Sequence, residues 1–149
     1  MSRWDRVFGR PQVIWDIADS NPLHDPLVEL VEHWLWLVPA WVDTLEIKFE
    51  HTEAFVAKAH VSYRYRSAVV RFSQAWGVLT LRERELTVVH ELVHARQAPV
   101  FAVLCVLMDT LIEADSAEDK LLRRQYAEAD EAVTTDMAVT LHRLHGMYK

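Results

Sequence analysis

Glycine, proline and cysteine are scarce in this chain: three, five and one among 149 residues. With so few breakers and about half of its residues apolar, the composition is that of a compact globular protein with no disordered tail. The lone Cys105 excludes an internal disulfide and a cysteine-rich zinc knuckle, and makes a cytoplasmic setting the default. Clustered positive charge is missing too. The formal charge is −6, and Arg82/Arg84 and Arg123/Arg124 are isolated pairs, so nucleic acid is not expected as a partner. No apolar stretch follows Met1–Arg6, so the start does not read as a secretory signal. The most apolar run, Val100 to Met108, is about half a membrane span. It reads as a buried helix, with a membrane or oligomer contact as the alternative. Repeats and low-complexity tracts are also lacking.

What is there fits a single domain over residues 1–149. Residues 1–24 carry Trp4, Phe8, Val13, Ile14 and Trp15 without a sustained period and read as an N-terminal arm, irregular or a short helix. Asp25-Pro26 predicts a helix start, with Asp25 as cap, and the helix occupies 25–42 through Leu27, Leu30, Val31, Trp34 and Leu35. Trp34, Trp36 and Trp41 are expected in the core. Residues 45–79 switch to period two: Leu45, Ile47 and Phe49 alternate with charged residues, and Phe55–Tyr65 and Ala68–Phe72 follow as two further strands. Connections too short for a crossover helix predict a three-stranded antiparallel meander.

Residues 80–145 form a helical part. Thr80 and Glu83 make a capping box for a helix that ends at Pro99; a second helix covers 100–114, and a third runs from about Lys120 to His145, closed by Gly146. The first of these contains His90-Glu91-Leu92-Val93-His94. On a helix, residues four apart share a face, so His90 and His94 can hold one metal ion, while Glu91 is offset and can reach a metal-held water without becoming a ligand. Leu86, Val89 and Val93 form a separate stripe that would bury the helix, leaving His90, His94 and Gln97 as a second row.

Zinc usually takes three protein ligands and keeps one position open. A third histidine six residues past the motif is excluded, because position 100 is Val. A carboxylate from a later helix is the remaining source, and the last helix offers Glu128, Asp130, Glu131 and Asp136. Glu131 is flanked one turn either way by Ala127, Thr134, Thr135 and Ala138, a narrow surface suited to close packing, and is the preferred ligand with Glu128 next. Asp130 and Asp136, nearer an apolar stripe of Leu122, Tyr126, Val133 and Met137, suit orienting an imidazole. Tyr126, His142, Tyr63 and Tyr65 are candidates in kind for stabilising an oxyanion. His142 and His145 could bind a metal or simply favour a helix C-terminus.

A sheet, a helix bearing HELVH and a later helix supplying Glu together resemble the zincin-like metallopeptidases of the gluzincin branch. Glu131–Ala138 is similar to the E-x-x-A-N-x-F-A segment of the small ImmA/IrrE-type and phage metallopeptidase domains, with Thr134 and Thr135 replacing Ala and Asn. The likeness covers roughly residues 45–145; the E-x-x-x-D form of larger gluzincins is absent, since Thr135 stands four after Glu131. The resemblance implies an α+β zincin-like fold: an N-terminal helix, the meander, the HExxH helix and two C-terminal helices. It implies Zn²⁺ on His90, His94 and Glu131, Glu91 as general base, and hydrolysis of a peptide or protein substrate. The strand at 68–72 would be the sheet edge that receives the peptide. The alternative is a non-catalytic binding or regulatory module that retains the metal site.

Overall fold

The computed structural model describes residues 10–148 and is a mixed α+β structure with one small sheet and four α-helices. Trp4 and Phe8 lie outside the described residues. The strands are β1 (Gln12–Asp16), β2 (Thr44–Glu50), β3 (Ala57–Ser62) and β4 (Ser67–Ser73), in the spatial order β1-β2-β4-β3. The first three in that order are parallel, and β3 pairs antiparallel with β4 at the edge. This corrects the meander and the expected edge. β3 itself carries the chain back along the outside of the sheet, so β2 and β4 become parallel neighbours without a crossover helix, and β4 (68–72 included) is internal. The supposed arm contains β1, whose Val13 and Trp15 pack against the core while Gln12, Ile14 and Asp16 alternate outward. Arg66 turns β3 into β4 with φ 52°, held by a bidentate Arg66–Asp43 pair at 2.7 and 2.9 Å.

One sheet face holds the core. Leu45 and Ile47 of β2 and Ala68, Val70 and Phe72 of β4 are buried against helices α1 (His24–Trp34) and α3 (Leu81–Leu111). The other face is polar, with Lys48 paired to Glu46 at 3.0 Å and Arg71 to Glu50 at 3.1 Å. Alternation of the two kinds of residue along each strand therefore places every helix on one side.

The helix from residue 25 is shorter than expected. α1 stops at Trp34, a 3₁₀ turn covers Leu35–Leu37, and Val38 is already extended, as the residue before Pro39 must be. Asp25 is not its cap. It lies in the first turn, Leu23 holds the cap position without a side-chain bond, and Asn21 Oδ1 accepts the Leu23 amide at 2.9 Å. Trp34 is fully buried and Trp41 partly so, but Trp36 is 52 % exposed.

Ser73 caps the short α2 (Gln74–Gly77), which turns the chain off the sheet. Thr80 and Glu83 form the expected capping box and start α3. Pro99 does not end it. Proline loses its own amide bond and crowds the carbonyl one turn back, yet one 31-residue helix runs through to Leu111 where two helices were expected. Residues 112–116 then turn the chain, Asp115 with φ 61°, into α4 (Ala117–His145), capped by Ser116 and closed at Gly146. A Cβ at Gly146 would lie 2.5 Å from the His142 carbonyl oxygen, which explains the residue there. α4 lies back along α3 and buries Asp119, Thr134, Ala138 and His142, whereas Leu122 and Val133 of the expected stripe are exposed.

Candidate metal centre

α3 presents its buried face through Glu85, Val88, Val89, Leu92, Val93 and Ala95, which leaves His90 and His94 half-buried on the flank that α4 covers. The small Thr134 and Ala138 let α4 approach closely, and Gln97 Nε2 donates to Thr134 Oγ1 at 2.6 Å, fixing the register of the two helices one turn past His94. That register carries Glu131 onto the histidine row. His90 Nε2 lies 3.2 Å from His94 Nε2 and 3.2 Å from Glu131 Oε2, and His94 Nε2 lies 3.7 Å from the same oxygen.

These three atoms form a group that could hold a metal ion. Ligands at zinc-like bond lengths on a tetrahedral ion stand roughly 3.3–3.4 Å apart, so the triangle has the right size without rearrangement. His94 Nδ1 lies 3.2 Å from Asp130 Oδ2. A proton on Nδ1 satisfies that contact and leaves the Nε2 lone pair facing Glu131 and His90. Burial holds the His90 imidazole below its ordinary value, against the opposing pull of Glu131, and so keeps it in the neutral form a ligand requires.

Glu91 stands apart from the triangle. It is 7 % exposed, and burial, then the negative charge of Glu131, push its carboxyl up to about 7, while the Ala59 amide pulls the other way. Ala59 belongs to β3, so the carboxylate bridges from the histidine helix to the sheet edge. Two hollows open on either side of it. One of about 520 Å³ is lined by Ala59, His60, His94, Phe101, Tyr126 and Glu131; the other, about 390 Å³, by Val56, Leu79, Leu86, His90 and Val139. Phe101 and Tyr126 stack with ring centres 4.7 Å apart. A larger hollow of about 710 Å³ opens near Asp16, Phe49, His51 and Gln74. It contributes none of the ligating group.

Of the residues the sequence pointed to, His90, His94 and Glu131 thus lie together, Glu91 lines the adjoining cleft, and Asp130 lies against the His94 imidazole. Glu128 instead faces Arg124 at 3.8 Å, 72 % exposed, and Asp136 is exposed. Of the oxyanion candidates only Tyr126 lines the cleft; Tyr63 packs on Trp41, and Tyr65 is 74 % exposed. His142 is buried elsewhere, its Nε2 3.1 Å from Glu85 Oε2, and His145 packs edge-on to Trp36. The Ala59 amide left no signal in the sequence, because no side chain marks it. Glu85 did leave one: it falls one turn before Val88 and Val89 on the buried face. No protein-family model, curated protein or solved structure matches this chain.

Proposed function

We propose that the chain is a zinc-dependent metallopeptidase of the zincin-like, gluzincin type, which hydrolyses peptide bonds in an extended peptide or protein. The observation that carries this reading is the division of labour among carboxylates at one place. Glu131 closes the ligand triangle and Asp130 steadies His94, while buried Glu91 is kept out of the triangle and close to neutrality in its titration.

Two imidazole nitrogens and one carboxylate form a donor set suited to zinc. When bound there, zinc supplies Lewis-acid polarisation and acidifies water. Glu91 takes a proton from the attacking water as its oxygen bonds to the amide carbon, then delivers it to the departing nitrogen as the C–N bond breaks. β3 supports the substrate side of the reading. As an antiparallel edge strand it leaves alternate backbone groups unpaired with the sheet, and an extended peptide can add along such an edge. The two hollows flanking Glu91 give side chains on either side of the cut bond somewhere to sit.

The test is cleavage of a mixed peptide library by zinc-loaded protein, read by mass spectrometry. Wild type is expected to cleave, and Glu91→Gln to lose about 10²–10⁴-fold in rate with its zinc content unchanged. Zinc bound by a wild type that cleaves nothing would contradict the proposal and favour the non-catalytic binding module.

A further inference from the structure

The helix α3 changes character after Ala95. From there to its end only Met108 is buried, and in α4 only Asp119 is buried before Thr134. The run Val100–Met108, expected to be buried, is largely exposed: Val100, Val103, Val106 and Leu107 are 62, 60, 65 and 48 % accessible. The two helices continue past the core as a bare pair, each lacking a third layer. Val100, Val103 and Leu107, with Leu111 at 77 %, stand at i, i+3, i+7 and i+11, a single seam with half-buried Leu104 in the same row. Between Arg96 and Asp109 there is no charged residue.

We infer that this seam binds a second copy of the chain, the two α3–α4 hairpins closing into a four-helix bundle about a two-fold axis. Together with Leu121 and Leu122, the exposed apolar side chains of the hairpin present on the order of 600 Å², near the ~800 Å² that each partner buries in a stable pair. Charge favours the arrangement. An antiparallel seam centred between Leu104 and Leu107 sets exposed Arg96 of each copy opposite the acidic stretch Glu113–Asp115 of the other, and it keeps the two acidic ends apart. A bilayer is a poorer match. α3 as a whole is long and apolar enough to cross one, but its first half is built into the core. The uncharged stretch spans only about 18 Å, and Asp109, Glu113, Asp115 and Glu118 crowd the end that anionic lipid would have to admit.

Light scattering on the zinc-loaded full chain tests this, at concentrations up to about 100 µM. Wild type is expected at twice 17.3 kDa. Leu107→Glu and, separately, Val103→Glu are expected to halve the mass with unchanged circular dichroism, and Leu144→Glu, exposed at the far end of α4 away from the projecting half of the hairpin, to leave it doubled. A single-chain mass for wild type, or a doubled mass that survives both seam variants, overturns the inference. So does a single-chain wild type that floats with vesicles of phosphatidylcholine and phosphatidylglycerol.

Discussion

Glu85 and Glu91 stand six residues apart on α3, both buried, and their surroundings send them in opposite directions. Burial alone would raise the Glu85 carboxyl, but the Met147 and Tyr148 amides (2.7 and 2.9 Å), the Trp34 indole (2.9 Å) and His142 outweigh it and leave the group below its ordinary value. Glu91 has one amide, from Ala59, set against burial and the charge of Glu131, and rises to about 7. Glu85 thus pins α1, the end of α4 and the C-terminal residues to α3, while Glu91 has a single amide partner and faces a cleft. A buried carboxylate is structural when its lone pairs are filled and available for chemistry when they are not.

Substitutions can break that contrast. The largest stability effect is expected from Glu85→Ala, which strands the Trp34 and His142 donors and two amides. Urea unfolding should show a loss of about 3–5 kcal/mol. Glu91→Gln should do the reverse in metal-free protein. A carboxyl raised in the folded state binds its proton more tightly there than in the unfolded chain, so its contribution is full below about pH 4.5 and declines as pH rises toward about 7. The amide removes that decline. Thermal melts should show Glu91→Gln more stable than wild type by up to about 2–3 kcal/mol at pH 8, with the gap closing toward pH 5. Glu85, with its value depressed, contributes stability above its unfolded value that is lost as pH falls through its folded one. Asp130→Asn keeps shape but weakens the hold on His94 Nδ1, and zinc affinity measured by competition with a chelator should fall about 10–100-fold without a change in fold. Thr80→Ala breaks the capping box and should cost about 1 kcal/mol in the same unfolding experiment, leaving zinc affinity in place.

Much of the centre was legible because helical periodicity is local. The four-residue spacing of His90 and His94, the offset of Glu91 and the small flank around Glu131 are written in consecutive residues, and close packing at Thr134 and Ala138 turned the last of these into a contact. The strands were legible for the same reason, from alternation at Leu45–Phe49 and Ala68–Phe72. Their order was not. Pairing depends on which edge an incoming strand finds, and nothing local distinguishes β3 returning outside β4 from a simple meander. β1 was obscured by its short length, and Pro99 misled because the helix continues through it, with α4 packed alongside, despite the lost amide bond and the crowding of the turn before. Glu85 was not singled out in the sequence, where it stands between Arg84 and Leu86. Extending the buried row of Val88, Val89 and Leu92 back by one turn identifies it as part of the core.

The most direct measurement is the zinc content of chelator-stripped protein titrated with Zn²⁺ and dialysed, for wild type, His94→Ala and Glu131→Ala. The account predicts one tightly held ion per wild-type chain and loss of that ion in both variants, with circular dichroism unchanged. Wild type retaining no zinc, or Glu131→Ala retaining it as well as wild type, would contradict the account.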